Sequence, residues 1–203
     1  MLFRSINTLA LGSNIIATGV DATACGTNVY SAGTKARAFG TNALTIGVHS
    51  QSDGVNIMTL GINGYTNGTN IYALGTSIQA YGENAMATGW DSIANGTNVS
   101  AAGANAQAIG LNALAQGTDA RAEGRNVIAI GTGAKAFGYS TNVVAMGTNG
   151  YAEGTNVMAL GTNSYAVGIN VTAIGPCARA CGLDTSAFGS KAIAYGSQAL
   201  AIG

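Results

Sequence analysis

The chain has 203 residues, of which 31 are Gly and one is Pro, and its eight Lys and Arg balance its eight Asp and Glu. A neutral chain excludes a nucleic-acid binder, which needs a basic surplus. The 47% hydrophobic content excludes a disordered chain, and three Cys are too few for a disulfide scaffold of this length.

From the N-terminus, residues 1–5 read as a short leader. The stretch MLFRSINTLALGS has one Arg and a broken apolar run, so it makes a poor signal peptide. No run approaches the ~18 apolar residues of a membrane helix. Gly then recurs every seventh residue from Gly12 to Gly138, and again from Gly147 to Gly203. Twenty-eight heptads fill residues 6–203 as one solenoid domain, with Tyr139 and Ser140 inserted as an exposed loop. A coiled coil is excluded, because a Gly in every heptad would cost ~1 kcal/mol each in a helix. Hexapeptide and nonapeptide solenoids are excluded by the period.

With each heptad numbered 1–7 and ending on Gly, the common form is T-N-V-x-A-x-G, as at 141–147 and 155–161. Position 5 is always small, with Ala in all but Ser31, Thr45, Ser52, Thr59 and Thr66. Positions 3, 5 and 7 predict a small inner face, positions 4 and 6 an outer face, and positions 1 and 2 a turn. Heptads starting at 13, 27, 41 and onward (A strands) differ from those starting at 6, 20, 34 and onward (B strands). Position 3 is Val or Ile in most A heptads, and mostly Ala, Ser or Gly in B heptads. The fold class expected is therefore all-β: a parallel solenoid of about fourteen 14-residue coils, two strands per coil. Asn at position 2 of the A heptads predicts a hydrogen-bonded ladder through Asn14, Asn28, Asn42, Asn56, Asn70, Asn84, Asn98, Asn112, Asn126, Asn142, Asn156 and Asn170.

Segments such as NALTIG (42–47), NVIAIG (126–131), NVVAMG (142–147), NVMALG (156–161) and NVTAIG (170–175) resemble the N-S-V-A-I-G repeat of YadA-type heads of trimeric autotransporter adhesins. The resemblance covers residues 6–203. It implies a left-handed parallel β-roll, a trimer, and an extracellular or cell-surface role in binding or structure. The Ser of that repeat is usually Ala, Val or Ile here, and no neck, stalk, anchor or export signal is read in these residues.

The outer faces differ in charge. A-strand positions 4 and 6 carry no charged residue, whereas B strands carry Arg37, Asp53, Arg121, Glu123, Lys135, Glu153 and Arg179 there. Fourteen coils at ~4.8 Å give an A sheet of about 1,100 Å², above the ~600 Å² of apolar patch that a monomer ordinarily exposes. A homotrimer interface is expected through Leu44, Ile46, Met58, Leu60, Leu74, Ile128, Ile130, Val144, Met146, Met158, Leu160, Ile174, Leu200 and Ile202. No catalytic constellation is legible: His49 is the only His, and Cys177 and Cys181 stand ~13 Å apart in an extended strand. Neither enzyme activity, cofactor nor metal is expected. Two functions remain open: a self-assembling extracellular fibre subunit stacking end to end, and an adhesin head that binds host or matrix components. Ice binding is a minor third reading, since few Thr, Thr18, Thr88 and Thr172 among them, face outward.

Overall fold

Alternating small side chains let two extended segments lie close together, and a residue that tolerates positive φ turns the chain between them. In the computed structural model the chain is all-β, a parallel solenoid of about 14 turns. The structure describes residues 7–138 and 142–203, so the leader and the loop at Tyr139 and Ser140 lie outside the described residues. Two compact units are present, Met1–Thr97 and Asn98–Gly203.

In the first unit, β1 (Leu9–Val20), β2 (Thr23–Thr34), β3 (Arg37–Val48), β4 (Gln51–Ile62), β5 (Tyr65–Thr76) and β6 (Gln79–Trp90) pair in parallel. The register steps by one coil, as in Leu44↔Met58 and Met58↔Tyr72. β7 (Ile93–Ala102) runs across the division between the units. The second unit holds β8 (Gln107–Gln116), β9 (Arg121–Ile130), β10 (Lys135–Gly138), β11 (Val143–Met146), β12 (Tyr151–Leu160), β13 (Tyr165–Ile174), β14 (Arg179–Phe188), β15 (Ile193–Ser197) and β16 (Leu200–Ile202). The step lengthens by the two inserted residues where Lys135 pairs with Tyr151 and Val127 with Val143, and every partner keeps its heptad position.

Positions 3 and 5 form the core in both units. Ala24, Ala38, Val29 and Ala43 cluster in the first, and Val127, Ala129, Val143 and Ala145 are buried in the second. A-strand branched side chains fill the space that B-strand residues leave. A Cβ on Gly138 would meet Val127 Cγ2 at 2.9 Å and Val143 Cγ2 at 3.1 Å.

Two features differ from the sequence reading. Except at Gly138, position 7 does not join the inner face. At Gly161 (φ 130°) a Cβ would point along the stack and lie 2.6 Å from the carbonyl oxygen of Gly175, the equivalent residue one coil on. The constraint is therefore the close passage of one backbone over the next, together with a φ that L side chains rarely adopt. Second, in the full strands the ladder runs on through the B-to-A turn. Each full strand joins the end of a B segment to the whole of an A segment, as in Tyr65–Thr76, and stops only at the A-to-B turn.

Candidate functional site

Every heptad places its second residue near the left-handed helical region. φ is 55° at Asn14, 54° at Lys35, 55° at His49 and 59° at Cys177. Asn tolerates this geometry better than most side chains, and its amide both donates and accepts. Asn14 Nδ2 accordingly donates to Asn28 Oδ1 at 3.1 Å, and the chain of bonds continues through Asn42, Asn56, Asn70 and Asn84. Asn98 likewise donates to Asn112 and Asn112 to Asn126, and Asn142 donates to Asn156 and Asn156 to Asn170. Asp accepts such a bond but cannot pass one on. Asn7 donates to Asp21, Asn105 to Asp119 and Asn170 to Asp184, and at each of these Asp residues donation along the row stops.

The A face places the hydrophobic residues at positions 4 and 6 in vertical rows. Leu44 pairs with Met58, and Ile46 with Leu60, which pairs in turn with Leu74. In the second unit Val144 pairs with Ile128 and Met158, and Met146 with Ile130 and Leu160. Thr172 interrupts the first of these rows opposite Met158, while Ile174 continues the second from Leu160. Leu200 and Ile202 pair with Ser186 and Phe188. In the single chain Ile46, Leu74, Met146 and Met158 are exposed, and Leu44, Met58, Leu60, Ile128, Ile130, Val144, Leu160 and Ile174 are half-buried.

The B face of the second unit gathers aromatic and charged side chains. Arg121 pairs with Glu123 at 2.8 Å and lies over the Phe137 ring, 5.4 Å from its centroid. Phe137 packs against Tyr151 at 5.8 Å, and Tyr151 stacks on Tyr165 at 5.1 Å with an 11° interplanar angle. The Tyr151 hydroxyl donates to Glu153. Glu123, Gly124, Phe137, Gly138, Tyr151 and Glu153 line an open recess of about 480 Å³. Burial pushes the Tyr165 hydroxyl above its usual pKa, with Cys181, Glu153 and Tyr195 adding and Arg179 opposing. Burial also raises the Cys181 thiol, against a lowering by Arg179 and by a backbone hydrogen bond at Val167. A thiol held protonated in this way is a weak nucleophile. In the first unit a smaller recess of about 190 Å³ is lined by Lys35, Arg37, His49, Ser50 and Gln51. Among the described residues no three His, Cys, Asp or Glu are grouped to hold a metal ion, and Cys25, Cys177 and Cys181 are unbridged.

The profile described as YadA head domain repeat (2 copies) matches residues 80–106, 108–134, 128–149, 140–164, 152–176 and 182–203, more than half the chain. The chain belongs to the YadA head domain repeat family. No curated protein matches it. The family is one of adhesin repeats rather than of enzymes.

Sequence reading found the charged members of the B-face cluster singly but not their association with Phe137, Tyr151 and Tyr165. The signal was present: positions 4 and 6 of successive B heptads from residue 118 onward read Arg-Glu, Lys-Phe, Tyr-Glu, Tyr-Val. A 14-residue stack places those pairs one above another.

Proposed function

We propose that this chain is part of a cell-surface adhesin head that assembles with two copies of itself through the A face and presents the B face outward to a partner. The supporting observation is the segregation of charge between the faces. The A face has no charged side chain in either unit, yet Leu74 is 43% and Met158 38% exposed in a single chain. Burying apolar area stabilises by roughly 25 cal/mol per Å² before ordering costs, so covering such rows favours association. The opposite face carries the Arg121–Glu123 pair and the aromatic stack, the mixture of anchors and polar groups found at recognition surfaces.

Light scattering tests the assembly. The expected mass is three times that of the chain, and Leu74→Asp with Ile130→Asp should give monomer or misfolded protein. A monomeric wild type, or a double variant that remains trimeric, contradicts the proposal. Negative-stain images of the same wild-type sample separate the head reading from a fibre subunit: discrete particles favour the head, and long filaments favour end-to-end stacking.

A further inference from the structure

The sequence contains four Asn-x-Ser/Thr triplets, the acceptor signal for N-linked sugars in exported proteins. They are Asn67-Gly68-Thr69, Asn95-Gly96-Thr97, Asn98-Val99-Ser100 and Asn170-Val171-Thr172. The fold separates them into two pairs. Asn98 and Asn170 stand at position 2 of their heptads, with the side-chain nitrogen committed between coils: Asn98 Nδ2 donates to Asn112 at 3.0 Å, and Asn170 Nδ2 to Asp184 at 2.8 Å. A sugar on either nitrogen would compete with the ladder. Asn67 and Asn95 stand instead at position 6 of B strands, on the outer face, and both are exposed.

We propose that Asn67 and Asn95 are acceptor sites for an N-linked sugar, and that Asn98 and Asn170 are not. Beyond their exposure, the surroundings of Asn67 suit a sugar. Tyr65 lies two residues back on the same face, and Tyr81 pairs in register with Asn67 one coil on. The two rings pack 5.4 Å apart. Aromatic faces carry partial negative charge and attract the C–H groups of a sugar ring. Tyr81 is also one coil before Asn95 at the same heptad position, so the two Asn flank one aromatic residue.

The donor is a sugar activated through its anomeric oxygen by a phosphate, on a nucleotide or a lipid pyrophosphate, and a transferase of the cell that makes the protein supplies the catalysis. The Asn Nδ2 attacks the anomeric carbon and a C–N bond forms. The bond from that carbon to the phosphate oxygen breaks, and the phosphate leaves with the electron pair. One amide proton passes to the transferase and then to solvent. No ladder bond is lost at either Asn67 or Asn95.

Peptide mapping by mass spectrometry, on the protein isolated from the cells that naturally make it, tests the assignment. Sugar adducts are expected on peptides bearing Asn67 and Asn95, with Asn98 and Asn170 bare. Thr69→Ala should remove the adduct from Asn67 alone and Thr97→Ala from Asn95 alone, each with an unchanged circular dichroism spectrum. Unmodified Asn67 and Asn95, conversion of those residues to Asp without sugar, or equal modification of Asn98 and Asn170 would overturn it.

Discussion

The two units keep one backbone rule and fill it differently. Both place Gly at position 7 and a residue of φ near 55° at position 2. The interior of the second unit is Ala and Val, with Ser164 and Thr185 the buried hydroxyl residues among those described. Seven are buried in the first: Ser31, Thr45, Ser50, Ser52, Thr59, Thr66 and Ser92. Six of them hold one another or the backbone, and Ser92 does not. Thr59 bonds Thr66 at 2.7 Å, Thr45 bonds Ser52, and Ser50 donates to the Gly61 carbonyl at 2.8 Å. The family profile covers most of the second unit and only the end of the first, starting at residue 80. What the fold demands is thus the Gly and the left-handed residue; interior chemistry is exchangeable when nearly all the buried hydroxyls find partners.

The turns differ as well. In the second unit the A-to-B turn closes on itself, the amide of Ala134 donating to Gly131 at 3.3 Å and that of Ala178 to Gly175 at 3.2 Å. Position 1 of that turn is Ala, Thr, Pro or Ser. Among the described residues of the first unit it is Val20, Val48, Ile62 or Trp90 in four coils, and the parallel ladder extends through it, with Val48 paired to Ile62. Val, Ile and Trp favour extended backbone and Pro176 suits the second place of a tight turn, but Thr stands at this position in both units.

The largest effect should be the same in both units. Gly61→Ala and Gly161→Ala each force positive φ on a side chain and drive a methyl into the backbone of the next coil, at Gly75 and Gly175. Each should cost at least ~1–3 kcal/mol in denaturant unfolding. A neutral result in one unit would break the shared rule.

Interior substitutions should then separate the units. In the second, Ala129→Leu overpacks a fully buried site and should cost ~1–3 kcal/mol. In the first, Thr59→Val removes the close partner of the Thr66 hydroxyl and should cost ~1–2 kcal/mol, whereas Thr59→Val with Thr66→Val should be close to neutral. Equal losses for the single and double variants would show that the hydroxyls are not paired. Ser92 Oγ is buried with no hydrogen-bond partner among the described residues. Ser92→Ala should therefore raise stability by ~1 kcal/mol, read as a higher melting temperature. The smallest effect is expected at the exposed ladder. Asn112→Asp keeps the acceptor for Asn98 but loses the donor to Asn126, and should cost ~0.5–1 kcal/mol.

Much of this fold was legible because the period placed each side chain. The burial of Ala129 and Val127 followed from alternation alone. The direction of Gly161 did not, because a residue without a Cβ leaves no polarity pattern. Nor did the passage of the ladder through Thr69-Asn70, where turn-forming residue types sit within an unbroken strand. The Arg121–Phe137–Tyr151 cluster joins residues from three consecutive B segments and becomes visible only once they are stacked.

The central claim is that copies cover the A face in both units while the B face stays open. Thiol labelling of the native assembly tests it directly, with Cys25, Cys177 and Cys181 replaced by Ser and one new Cys introduced at a time. The account predicts slow labelling of Leu74→Cys and Met158→Cys, both exposed in a single chain, and fast labelling of Arg37→Cys and Lys135→Cys on the B face. Equal labelling rates at all four sites would contradict it.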